Sequence, residues 1–238
     1  MEASVGSGVD SADLTAVKGL KIERSTTAER VTDGLRALII RGDLRPGSAL
    51  REGALVDALG VSRNTLREAF RLLSREGLVV HRMHHGVEVK RLTEADVHDI
   101  YRARLPLEIT AIRQSAELPR ERLRPLSQAL DEAEAALEAR DWKQVATSDL
   151  YFHQGLVELL ESLRISGFFE GLLAELRLAF AIPADQEAFL APFVSWNRKM
   201  CWMLERGKQA DCAREMQAYL EQAEQTIRSF LASKATPP

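Results

Sequence analysis

Apolar residues in the first third of the chain recur at helical spacing in three short runs. Val31, Leu35, Leu38 and Ile39 share a helical face, and Gly42 with the turn Arg45-Pro46-Gly47 predicts where that helix ends. Ala54, Leu55, Ala58 and Leu59 predict a second helix that stops at Gly60. Ser62 is placed to cap a third, in which Leu66, Ala69, Phe70 and Leu73 follow the i, i+3, i+4, i+7 pattern up to Gly77. The next segment, Leu78 to Leu92, carries β-branched residues on both sides of His84-His85-Gly86, which predicts a hairpin turning near Gly86. Three helices and a hairpin make a winged helix-turn-helix, assigned to residues 23–92 behind a small, polar, acidic leader (1–22) expected to be disordered.

From Thr93 the pattern is helical to the end. Six segments are expected, at 94–116, 120–139, 142–162, 166–181, 185–206 and 209–233, with breaks at Pro119, Asp141, Gly167, Pro183 and Gly207. Short connections between long helices favour antiparallel neighbours. The expected class is therefore mainly α: a winged helix-turn-helix followed by an antiparallel all-α bundle of about six helices at 93–233, with a tail at 234–238.

Composition narrows the setting. With 45% hydrophobic and 28% charged residues the chain is an ordinary globular protein. No apolar run reaches the roughly 18 residues of a membrane helix, and the first residues lack the basic start and apolar core of a secretory signal. A cytoplasmic protein without membrane contact is expected. Cys201 and Cys212 show no paired zinc-binding pattern. They fit two free thiols in a reducing compartment, with a disulfide between them left open. The net charge of −3 hides an asymmetry: Lys21 to Arg91 holds 14 Lys or Arg against 9 Asp or Glu, so the remainder carries the negative excess. A basic first domain suits a polyanion.

The third helix suits a polyanion such as DNA. Opposite its apolar face stand Arg63, Asn64, Arg67 and Arg71. A helix fits the major groove, where Arg bonds guanine and Asn bonds adenine with two hydrogen bonds each. Ser62 and Thr65 sit where hydroxyls and helix N-terminal N–H groups hold phosphates. An ordinary solvated amphipathic helix is the plainer alternative. The stretch GDLRPGSAL…LGVSRNTLREAFRLLSREGLV resembles the N-terminal domain of the GntR family of bacterial regulators, from about Thr26 to Leu92. The resemblance implies DNA contacts from Arg63 and Arg67, neighbouring contacts from Ser62, Asn64 and Thr65, and a wing tip at Gly86 beside His85. Asn64 departs from the commoner Thr. Gly53 stands where some members carry a basic contact, with Arg51 close by. The resemblance also implies a homodimer on an inverted repeat of operator DNA, since two copies of one reading helix match a palindromic site.

The bundle interrupts its own apolar stripes with polar side chains. Arg104 falls among Val97, Ile100, Leu107 and Ala111. Asp149 and His153 share a face with Trp142, Leu156 and Leu160. Asn197 lies with Phe193, Met200 and Leu204, and Tyr219 between Met216 and Ala223. Buried polar groups need partners, so four helices sending them inward suggest one shared polar cavity, or else a set of separate buried hydrogen bonds. YRARLPLE, DLYFH and ERGKQADCAREMQAYLEQAE resemble the FadR-like branch of the family, whose all-helical C-terminal (FCD-type) domain binds an effector. The resemblance implies effector contacts from Arg104, Asp149, His153, Asn197 and Tyr219. It also implies a divalent metal on Asp149, His153 and two later histidines, but those later positions are Asn197 and Tyr219 here. Neither is a good transition-metal ligand near neutral pH, and none of the other histidines is available. No cofactor is therefore expected. Arg104 needs an anionic partner, either Asp149 or a carboxylate or phosphate of the effector. The nearby Trp142, Trp196 and Tyr219 would suit an aromatic one. The expected function is a transcription regulator, taken as a repressor, whose operator binding responds to a small organic anion. The alternatives are a DNA-binding protein without an effector and an enzyme using Asp149 and His153.

Overall fold

The computed structural model describes residues 26–83, 86–180, 183 and 185–235. The expected leader, His84, His85 and the last three residues of the tail lie outside them. Nine α-helices and one small sheet occur among the described residues.

The N-terminal domain comprises α1 (Thr27–Ile40), β1 (Ala49–Leu50), α2 (Glu52–Leu59), α3 (Arg63–Arg75), β2 (Val79–Arg82) and β3 (Gly86–Val89). A reciprocal capping box starts α1: Thr26 Oγ1 accepts from Glu29 N–H, and Glu29 accepts from Thr26 N–H. Leu35 and Ile39 of α1 pack on Leu66, Phe70 and Leu73 of α3, all buried. Arg36 clamps the two helices with a two-armed ion pair to Glu76, at 2.8 and 2.6 Å. The order in the sheet is β1-β3-β2, antiparallel throughout, with Leu50 opposite Val87 and Val79 opposite Val89. The third strand, β1, departs from the expected two-stranded hairpin. The second helix also departs from its pattern: α2 has no fully buried side chain, and Leu59 is exposed.

The C-terminal domain comprises α4 (Glu94–Gln114), α5 (Arg124–Glu138), α6 (Trp142–Glu158), α7 (Leu163–Ala179), α8 (Gln186–Glu205) and α9 (Gln209–Ala235), with 3-10 turns at Ser115–Glu117 and Arg120–Leu123. Most expected breaks hold, but Gly167 lies inside α7. The chain turns earlier, at Glu161 with φ of 54°, and Ser162 caps the new helix through Ile165 N–H at 3.4 Å. A single helical glycine costs only about 1 kcal/mol relative to alanine, too little to break a helix held by packing. α9 runs two residues past its expected end.

The two domains touch along α1 and α7. Lys143 of α6 pairs with Asp43, just past α1. Lys90, after β3, reaches Asp96 at 2.8 Å and Glu175 of α7 at 3.5 Å. Between α1 and the α6–α7 pair lies a cleft of about 480 Å³.

Candidate DNA-reading face and buried polar centre

Ser62 caps α3 by accepting from Thr65 N–H at 3.1 Å, and the two hydroxyls lie 2.8 Å apart. One hydroxyl proton feeds the other residue, which leaves one free for an outside acceptor. The four apolar residues of α3 are buried, while Arg63, Asn64, Arg67 and Arg71 are exposed on the opposite side. Arg67 Nε donates to Glu52 of α2 at 3.0 Å, and Arg71 pairs with Glu68 at 3.0 Å. Arg51 and Arg63 have no ion-pair partner among the described residues. Gly86 opens β3 with φ of 82°, a conformation that L side chains rarely adopt.

In the bundle the structure gathers five predicted residues around a sixth that the sequence reading missed. Arg104 Nε donates to Glu108 at 2.8 Å, one turn on along α4. The other Glu108 oxygen meets His153 Nδ1 at 2.5 Å. His153 Nε2 meets the Tyr219 hydroxyl at 3.0 Å, and that hydroxyl donates to Asp149 at 3.1 Å. Asn197 donates to the same Asp149 oxygen at 2.7 Å. All six side chains are buried. Of the two partners expected for Arg104, Asp149 does not pair with it; its ion-pair partner is Glu108. The expected shared cavity is a closed, connected hydrogen-bond chain across α4, α6, α8 and α9. Two of its atoms remain without partners: Arg104 Nη2, a donor, and Asn197 Oδ1, an acceptor.

The electrostatics follow from burial. Removal from water pushes the Glu108 carboxyl up, but Arg104 and His153 together pull it below the ordinary carboxylate range. Burial, reinforced by Asp149, raises the Tyr219 phenol, so it stays protonated and donates. Among the described residues no group of three or more His, Cys, Asp or Glu side chains is arranged to hold a metal ion.

Three expectations about neighbours change. Leu107 is only half-buried, and Glu108 takes the inward position beside it. Trp142 at the start of α6 and Leu160 in the turn after it are half-buried, whereas Trp196 packs its ring 5.4 Å from Tyr219. Cys201 and Cys212 are both free and buried, and burial pushes their thiols up to about 11 and about 12, which leaves them unreactive near neutral pH. No helix among the described residues is long and apolar enough to cross a membrane.

This arrangement of an N-terminal winged-helix domain and a helical bundle has counterparts among known proteins. Residues 27–89 match the gntR family of bacterial regulatory proteins, and residues 99–222 match the FCD domain. A crystal structure of a putative transcriptional regulator GntR from Rhodococcus sp. RHA1 superposes with a TM-score of 0.80 at 33% identity, covering 85% of this chain and 98% of that one. The HTH-type transcriptional regulator YdhC of Bacillus subtilis (strain 168) is 32% identical over 57% of this chain and 62% of its own length. A probable D-xylose utilization operon transcriptional repressor of Paenarthrobacter nicotinovorans is 28% identical over 71% of this chain and 76% of its own. The chain belongs to the gntR family and carries an FCD domain.

Proposed function

We infer that the protein is a cytoplasmic, homodimeric repressor that binds an inverted repeat through α3 and the wing, and that a small organic anion in the bundle modulates this binding. One observation carries the DNA half: α3 sets Arg63, Asn64, Arg67 and Arg71 in water on the face opposite its buried stripe, with Arg63, Asn64 and Arg67 in the N-terminal turns that enter a major groove best. Ser62, Thr65, Arg51, Gly86 and His85, the last outside the described residues, supply the flanking phosphate contacts. Repression is suggested by the relative from Paenarthrobacter nicotinovorans, named as a repressor. Duplexes selected by the protein from a random pool test the reading directly. The expected product is a two-fold repeat bound by two copies, and recovery of unrelated sequences would overturn it.

The effector half rests on the two unpartnered atoms in the polar centre. Arg104 Nη2 offers a hydrogen bond to an anionic oxygen, and Asn197 Oδ1 offers to accept one from a hydroxyl or amine. Asp149, His153 and Tyr219 hold these two in place. The residues do not suit a tightly bound transition metal. Both His153 nitrogens already have partners, and the accepting Asp149 oxygen takes two hydrogen bonds. Arg104→Lys keeps the charge beside Glu108 but loses the fork. It should bind operator normally and respond to inducer far less. Elemental analysis of protein purified without added metal should find no stoichiometric transition metal. One equivalent that disappears in His153→Ala would overturn the metal-free reading.

A further inference from the structure

The two halves of α7 are covered unequally. In the C-terminal half, Leu173 and Ala174 are buried where α1 packs on α7. In the N-terminal half, Leu163 is 93% exposed and Phe168 57%, and no other helix among the described residues exposes two large apolar side chains. Gly167 stands seven residues before Ala174, on the same side of the helix, so one face runs from the covered half into the open one.

Gly167 and Gly171 lie one turn apart on the open part of that face. Glycine weakens a helix relative to alanine. A Cβ on either residue would meet nothing within 4 Å, so the packing of the single chain does not require their small size. Missing side chains at a helix surface let the axis of another helix come close.

The charges identify that other helix. Arg164 and Glu170 are both exposed, and neither has an ion pair among the described residues. They stand three residues before and three residues after Gly167. When two copies of α7 run antiparallel about a two-fold axis at Gly167, each Arg164 comes to the height of the partner's Glu170. Leu163 then comes to the height of the partner's Gly171, where the missing side chain leaves room for it. The face is complementary to itself, as a two-fold interface requires. A partner of unrelated sequence gives no reason for this spacing.

We propose that this face of α7 is a seam of the homodimer, where a second copy covers Leu163 and, at its edge, Phe168, with two Arg164–Glu170 pairs flanking the axis at Gly167. This placement rests on the homodimeric reading above and adds where the copies meet. The other half of the same face packs on α1 of the DNA-binding domain, so the seam lies next to the contact between the domains and helps to set how far apart the two copies of α3 stand.

Sedimentation equilibrium of the full chain measures the dimer dissociation constant of the wild type and four variants. Gly167→Lys brings two like charges together on the axis. It should stay monomeric at concentrations where the wild type is a dimer, with an unchanged helical circular-dichroism spectrum, because the single chain has room for the side chain. Arg164→Glu and Glu170→Arg should each weaken dimerisation by about tenfold, since each change acts at two symmetry-related pairs. The double variant Arg164→Glu/Glu170→Arg should return to near the wild-type value. Residues six apart do not face each other on one helix, so that recovery can come only from pairing between copies. A wild-type monomer overturns the homodimer and the seam together. A wild-type dimer that is indifferent to Gly167→Lys and to the charge changes leaves the homodimer standing and overturns the seam. Single charge changes that weaken the dimer without recovery in the double variant also overturn it, because the two charges then do not meet.

Discussion

The exposed arginines of α3 and the buried Arg104 of α4 are the same side chain in opposite solvents. Arg67 and Arg71 stand in water with partners, Glu52 and Glu68, that cost little to give up. Arg104 is sealed in the bundle and held by Glu108, whose second oxygen is in turn held by His153. Surface charges of the first kind act on binding and hardly touch stability. Charges of the second kind are committed to the fold, and each depends on its neighbour. The difference separates a face built to release its partners from a centre built to keep them.

The largest test removes the hub of the centre. Glu108→Ala strands Arg104 and leaves His153 Nδ1 without its acceptor, both fully buried, and breaking a buried pair from one side costs about 3–5 kcal/mol. Urea unfolding should show that loss, whereas Arg71→Ala should stay within about 0.5 kcal/mol of wild type. A loss below about 1 kcal/mol for Glu108→Ala would erase the distinction between the two regions.

The same carboxyl makes the centre acid-sensitive. Its native value lies below the ordinary 4.5. The stability it contributes is complete above the unfolded value and is lost as pH falls through the native one. Unfolding free energy should therefore decline below about pH 4.5. Glu108→Gln should flatten that part of the profile.

How much of this was legible in the sequence differs between the regions for physical reasons. The apolar stripe of α3 and the charges opposite it can be read directly, because an amphipathic surface helix displays its period. The bundle helices are buried on more than one side, so the phase of their stripes is loose. Leu107 and Glu108 differ by 100° on α4, and the apolar pattern alone places Leu107 inward. The available signal was spacing: a carboxylate four residues after a buried arginine. The two-residue strand β1 is too short to show any period, and its pairing is set by β3.

On the exposed side, Arg67→Ala should weaken binding to the selected operator by about 1–3 kcal/mol if Arg67 reads a base, with little loss on random duplex. Equal loss on both would assign it to phosphate. Fluorescence anisotropy on the two duplexes separates these outcomes, and the unfolding midpoint should hardly move.

The smallest effect concerns the partner that Arg67 must leave. Glu52 is only partly exposed and sits on α2, and in the free protein it accepts from Arg67 Nε. In the proposed complex, docking on DNA would break that pair and bring a carboxylate toward a phosphate backbone, and both consequences would oppose binding. Glu52→Gln removes the charge and weakens the hold on Arg67 while keeping a similar shape. An exposed ion pair of this kind is worth about 0.2–1 kcal/mol. Operator affinity should therefore rise by no more than about fivefold, most clearly at low salt, where surface charges are least screened. Weaker binding by Glu52→Gln would mean that Glu52 orients Arg67 in the complex, and the pair on α3 would then resemble the committed pair in the bundle.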